Sequence, residues 1–352
     1  MRVATLTELT SGVDALYLSG RAALPSSLLN RLESAREEAI ALDARPPFQF
    51  GALEMFIAPH SFGKYRYSLE HPFGRVGFTP SAKLPAIRVQ QRSEFLHGVG
   101  TGAAMNFFRD LLESEIGPVM LSVSRVDLFA DFQGWDLVGD DRGSFVCRSH
   151  ETATYEADEH LNGLQFGKRS SGTVSARLYD KTVEMKTTGS DYWRTIWADR
   201  YDPDRPVLRV EFELGRTAIR EFGLDDPESV LAATGSLWAY LTSKWLTFRV
   251  PTGDGTKSRW PVAPEWEAVS RASVVDGDYG VERMYAGKRR GKLNNLMPGL
   301  VGYLAAFGAL TDCQDFDRLV PVLNVHLRQY AEESGTSFDW RIFAKQRELA
   351  LL

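Results

Sequence analysis

The chain has 352 residues, 43% of them hydrophobic, with 41 Lys and Arg against 46 Asp and Glu for a net charge of −5. That is room for one large domain or two ordinary ones with an apolar core, and the acidic balance leaves any contact with nucleic acid to local basic patches. Neither a signal-peptide pattern nor an apolar run of bilayer length occurs, so a soluble cytoplasmic protein with no membrane partner is expected, and Cys147 and Cys313 are too isolated for a disulfide framework or a cysteine zinc site.

In chain order, Asp14–Leu18 reads as a strand and Ser26–Ala41 as an amphipathic helix. From Phe48 to about Gln91, short aromatic and β-branched runs such as Phe62–Tyr67 and Ala86–Gln90 read as antiparallel strands. A helix is expected over residues 102–114, then a strand over Val123–Phe132 that carries charges inside an apolar run. Further strands fall at 163–167, 175–181 and 207–214, followed by a helix over 226–244. Residues 251–261, PTGDGTKSRWP, read as a connector and divide the chain into a 1–250 region and a mainly helical 251–352 region, with helices at 296–310, 315–333 and 337–351.

Three stretches place ionisable residues on strands that otherwise look buried. On a strand the side chains alternate faces, so Asp127 and Asp131 share one face with Phe129, and Arg209, Glu211 and Glu213 share another strand's face. Two carboxylates on one face fit a hard divalent ion, Mg²⁺ or Mn²⁺, and fit equally an edge strand turned to water. The same alternation sets Tyr179 between Arg177 and Lys181. Cations favour a phenolate and hold phosphate oxygens, which suits a nucleophile attacking a phosphodiester, while a packed strand tyrosine has the same pattern. Lys168 and Arg169 precede this strand, and Lys288, Arg289 and Arg290 with Lys292 form a second basic run that reads as a DNA contact or a solvated loop. Trp238, Tyr240, Trp245 and Trp260 can stack bases, but helical spacing favours core packing.

Taken together, SRVDLFADF (124–132), LQFGKRSSGTVSARLYDKTVE (164–184) and LRVEFELGR (208–216), then IREFG (219–223) and SLWAYLTSKWL (236–246), resemble the Rep_trans-type replication initiation factors. That family includes rolling-circle plasmid and phage initiators and MobT-like relaxases. The resemblance covers roughly residues 120–265 and implies an α+β fold: an antiparallel-sheet nicking-endonuclease core related to the HUH endonucleases, with a helical C-terminal lobe. It implies carboxylates in place of a histidine metal pair, and the six histidines of this chain, at 60, 71, 97, 150, 160 and 326, never occur two apart. By motif, Tyr179 becomes the nucleophile, Arg177 and Lys181 its charge-stabilising partners, and Asp127, Asp131, Glu211 and Glu213 the metal site. The implied reaction is metal-dependent nicking and rejoining of origin DNA, single-stranded or extruded as a hairpin, through a 5′-phosphotyrosyl intermediate. A host helicase and a second copy of the chain are the further candidate partners. A conjugative relaxase would share this chemistry, and a non-catalytic origin-binding protein would share only the fold. The sequence departs from the small-plasmid initiators at Gly215, where they carry Lys or Arg.

Overall fold

Residues 6–157, 160–274, 293–333 and 342 are described in the computed structural model. The basic run at 288–292 and the helix expected at 337–351 lie outside the described residues, apart from position 342. The chain divides into two compact units, Met1–Arg283 and Met284–Leu352. The connector at 251–261 lies within the first, where Arg249 bridges Val262 and the Val250 N–H donates to the Pro261 carbonyl at 2.9 Å.

The first unit opens with a long strand, β1 (Thr7–Arg21), and a helix, α1 (Ser26–Leu42), which ends where Asp43 takes a left-handed conformation. Four short strands follow: β2 (Pro47–Phe50), β3 (Leu53–Ile57), β4 (Tyr67–His71) and β5 (Gly74–Phe78). The strand expected at 62–67 is instead a tight turn in which Phe62 and Tyr65 bridge each other, and β4 begins at its end. After β6 (Ile87–Gln91) come helices α2 (Ser93–Val99) and α3 (Thr101–Ile116), then β7 (Met120–Gln133). The chain continues through β8 (Phe145–Cys147), β9 (Thr152–Ala157), β10 (His160–Phe166), β11 (Val174–Asp180), α4 (Lys181–Thr188), α5 (Tyr192–Trp197) and β12 (Leu208–Gly215).

Eleven strands form one antiparallel sheet in the order β2-β3-β4-β5-β6-β1-β7-β12-β11-β10-β9, so the fold is α+β. Strands β7, β12 and β11 lie side by side near its middle, with Asp127 opposite Glu213, Asp131 opposite Arg209, Arg177 opposite Glu211 and Tyr179 opposite Arg209. The one-residue alternation then sends Val126, Leu128, Ala130, Val210, Phe212 and Leu214 to the other face, into the main core.

The helix expected over 226–244 is broken. Helices α6 (Arg216–Glu221), α7 (Pro227–Ala232) and α8 (Thr234–Tyr240) are separate, and Leu241–Trp245 forms a π-turn before β13 (Leu246–Phe248), which pairs with β8. Asp226 starts α7 by accepting the Ser229 N–H at 2.8 Å, with Pro227 at the first helical position. The π-turn is fixed from outside: the Trp266 indole, on α9 (Pro264–Ser270), donates to the Thr242 carbonyl at 2.7 Å, while the Thr242 hydroxyl bonds back to the Trp238 carbonyl at 2.8 Å. Trp238 and Trp245 are thus buried core residues, in line with their helical spacing. Tyr240 packs edge-on against Phe222, with ring centroids 5.1 Å apart. The second unit contains α10 (Leu293–Leu310) and α11 (Phe316–Glu333). No described helix is long and apolar enough to cross a membrane.

One small residue is demanded by the approach of the basic loop. A Cβ at Gly215 would come within 2.4 Å of Gly172 Cα, because Gly172 crosses directly over the end of β12 and its carbonyl accepts from Thr217 N–H at 2.8 Å. The position where the resembling plasmid initiators carry a long cation therefore has no room for a side chain. Gly215→Ala is expected to lower stability by roughly 1–3 kcal/mol through overpacking, read as a shift in urea midpoint; an unchanged midpoint would show that the 167–172 loop moves aside at no cost.

Candidate active site

The candidate site lies on the sheet face opposite the main core. A small second core covers part of that face: Trp193 and Trp197 of α5 and Met185 of α4 pack on Phe129, Leu9 and Val207. Asp180 builds this cover by stopping β11, since its carboxylate caps α4 through the N–H groups of Thr182 at 2.8 Å and Val183 at 3.1 Å. The chain turns immediately after Tyr179, which leaves the tyrosine beneath the covering helices.

Tyr179 is half-buried and its hydroxyl donates to Glu211 Oε2 at 2.9 Å. Arg177 donates to the other oxygen of Glu211 at 2.5 Å, and its guanidinium carbon lies 4.9 Å from the Tyr179 ring centre. Burial raises the Tyr179 hydroxyl well above its ordinary pKa and the Glu211 charge adds to this, while Arg209 and Arg177 pull the other way. Lys181 is buried beside both rings, 6.0 Å from Tyr179 and 5.1 Å from Trp193, with its Nζ on Glu184 at 2.6 Å. Burial lowers its pKa, and the neighbouring Arg209 adds to that.

The carboxylates do not all play one part. Asp127 and Glu211 line a cleft, with Glu213 buried opposite Asp127, whereas both oxygens of Asp131 are taken. Arg209 grips them at 2.6 and 2.7 Å and the Trp197 indole donates to Oδ2 at 2.8 Å. The fully buried Arg209 also reaches Asp14 at 3.2 Å and lies against the rings of Phe129 and Trp193, at 4.2 and 3.9 Å. Asp131 is accordingly the partner of a buried cation rather than an open oxygen donor, a difference that strand alternation alone does not reveal.

Two residues absent from the sequence-based expectation complete the arrangement. Asp14 sits at an irregularity where β1 shifts register between Val13 and Ala15, which turns its side chain onto Ser93 at 2.7 Å and Arg209. Although burial raises its pKa, Arg209 and hydrogen bonds from His97 and Ser93 hold it below the ordinary carboxylate range. Arg125 donates to both oxygens of Asp127, at 2.7 Å through Nε, and lies 3.0 Å from Glu213 Oε2. A charge two residues before Asp127 on the same face was the available signal for it.

Burial raises the Asp127 pKa to about 7; Arg125 opposes this and the charges of Glu211 and Glu213 reinforce it. Glu213 Oε1 accepts the Ser170 N–H at 2.5 Å, and Arg169 of the same loop lies 3.6 Å from Oε2, an oxygen that is buried without an aligned hydrogen bond. Lys168, next to it, is exposed. Among the described residues, no three His, Cys, Asp or Glu side chains are arranged to hold a metal ion. As they stand, Asp127 and Glu211 are turned onto guanidinium groups and do not fit one. A cleft of about 760 Å³ opens over these residues, lined by Arg125, Asp127, Arg169, Arg177 and Glu211 and continuing past Tyr17 to Arg75.

No family model and no curated protein matches the chain. Among solved structures it is similar to a rolling circle replication initiator protein from Geobacillus stearothermophilus, at 16% identity and a TM-score of 0.42, over 77% of this chain and 99% of that one. Likeness at that level leaves the functional reading to the motifs and to the site itself.

Proposed function

We propose that the protein nicks and rejoins DNA with Tyr179 as nucleophile, as a rolling-circle replication initiator. The observation that carries this reading is the Tyr179 hydroxyl bonded to Glu211 at 2.9 Å beneath an arginine-lined cleft. Its motifs resemble those of the Rep_trans-type initiators. A relaxase would use the same chemistry.

In the proposed reaction Tyr179 Oη attacks the phosphorus of one phosphodiester. Its proton passes to Glu211 Oε2, the P–O3′ bond breaks, and the 3′-oxygen leaves and takes a proton from solvent. The product is a 5′-phosphotyrosyl enzyme and a 3′-hydroxyl. Reversal rejoins the strand without ATP, because the phosphodiester energy is kept in the tyrosyl ester. Arg177, Arg125 and Arg169 line the place where charge develops on the phosphate, and a guanidinium fork matches phosphate oxygens. Lys181, the first residue of α4, supports the phenol side.

The Mg²⁺ or Mn²⁺ dependence implied by the resemblance, with Asp127, Glu211 and Glu213 as oxygen donors, is not supplied by the arrangement described above. It is tested directly alongside the nucleophile. Purified protein is incubated with supercoiled DNA carrying the region around its own gene, with Mg²⁺, Mn²⁺ or EDTA, and run on a denaturing gel without protease. Open circles with protein on a 5′ end are expected from wild type, and none from Tyr179→Phe. Nicking by the phenylalanine variant at the wild-type rate would make Tyr179 a packed strand residue. Binding without nicking by both would favour an origin-binding protein, and equal nicking in EDTA would remove the metal.

A further inference from the structure

On the same sheet face as Tyr179, arginines and aromatic rings alternate in a row running away from the site across β7, β1, β6 and β5. Arg125 lies 5.1 Å over the Tyr17 ring, and Arg88 is 5.9 Å from that ring and 4.5 Å from Phe62. Arg75 also lies 4.3 Å from the Phe62 ring centre. Register makes the row continuous: Arg125 is opposite Tyr17, Tyr17 is opposite Gln90, whose amide donates to the Tyr17 hydroxyl at 2.7 Å, and Arg88 is opposite Gly77.

Gly77 is what lets Phe62 take part. A Cβ there would meet the Phe62 ring and the Tyr65 Cβ, both at 2.9 Å, so the missing side chain is the seat on which the 62–65 turn lays the buried Phe62 ring against Arg75 and Arg88. Tyr17, Arg88 and Arg75 remain partly open to solvent, and the cleft over Arg177 and Glu211 extends to Tyr17 and Arg75.

We propose that this row is a binding track for single-stranded DNA, leading the strand into the site at Tyr179. Guanidinium groups spaced along a groove hold successive phosphates, and the partly open Tyr17 ring and the guanidinium planes beside it stack bases irrespective of sequence, while the buried Phe62 ring seats Arg75 and Arg88. A duplex would present its phosphates but not its base faces, so the track selects single strands. The proposal rests on the nicking reading for where the strand goes, and its test involves no cleavage.

Binding of a fluorescein-labelled oligo-dT of about 20 nucleotides is measured by anisotropy in EDTA with Tyr179→Phe protein. Arg88→Ala and Tyr17→Leu are each expected to weaken binding roughly tenfold, the range of one lost base stack. Arg88→Ala is also expected to lower the salt slope by about 0.7, one single-strand phosphate contact. Arg88→Lys should restore the slope but not all of the affinity, which separates the phosphate contact from stacking and from misfolding. Photocrosslinking of 5-iododeoxyuridine DNA to Tyr17 is expected. Unchanged affinity and slope in all three variants, or tighter binding of a duplex of equal length than of the single strand, would overturn the track. A nicking-deficient wild type that still loses oligo-dT binding on Arg88→Ala would overturn the nicking reading and keep the track.

Discussion

Asp131→Asn is expected to destabilise the protein by about 3–5 kcal/mol, the usual cost of removing one partner from a buried ion pair. The reason is what remains behind. Arg209 is fully buried against Phe129 and Trp193, and two of its nitrogens are spent on Asp131. Neutralising Asp131 leaves that guanidinium with Asp14 as its remaining carboxylate, at 3.2 Å, and weakens the acceptor of the Trp197 indole. Asparagine has nearly the same volume, so the loss measures charge rather than a cavity. Urea unfolding at neutral pH reads it. Arg209→Met in the same background should recover part of the loss, because no unpaired buried cation remains and the thioether packs well against two rings. A single-variant loss below about 1 kcal/mol would mean that water reaches Arg209 and that the pair is in effect a surface one.

This pair also shows how far the sequence could be read. Strand alternation placed Asp127, Asp131, Glu211, Glu213, Arg177 and Tyr179 on the correct faces, because a period of two survives in any regular strand. It could not say which carboxylate would be neutralised by which arginine, since that depends on register between β7 and β12, strands separated by some 80 positions. Asp131 meets Arg209 directly across the ladder, and Asp127 meets Glu213, so one acid becomes structural and the other stays at the cleft. Asp14 was out of reach for a different reason. Its side chain is aimed by a register shift in β1, and irregularities of this kind leave only a weak mark in a single sequence.

The outer part of the sheet was legible as strands but not as a surface. The short aromatic runs from Phe48 to Gln91 imply antiparallel structure, yet the stacking of Arg75 and Arg88 on Phe62 depends on a tight turn whose aromatic spacing matches that of a strand. The broken helix at 226–244 has a similar cause. Its apolar periodicity is real, but the Thr242 carbonyl is taken by an indole from α9, a tertiary partner that overrides local propensity.

Glu211→Gln provides the sharpest test of the proposed chemistry. Glutamine keeps an oxygen within reach of the Tyr179 hydroxyl but cannot accept its proton, so single-turnover nicking at neutral pH is expected to fall by about 10²–10⁴-fold. Binding of uncleaved oligo-dT should remain within about twofold of wild type, because a lost carboxylate does not remove a phosphate contact. The sign of the pH dependence separates a base from a mere structural anchor. The Glu211 charge helps to raise the Tyr179 hydroxyl above its ordinary pKa, so removing it brings that pKa down, which ultraviolet titration of the phenolate can follow. As pH rises the variant ionises its phenol without help, and its deficit against wild type should shrink steadily. A deficit that stays constant from neutral to alkaline pH would show that Glu211 positions Arg177 and Tyr179 instead of taking the proton, and a variant as fast as wild type would leave the phenol to be activated from elsewhere in the cleft.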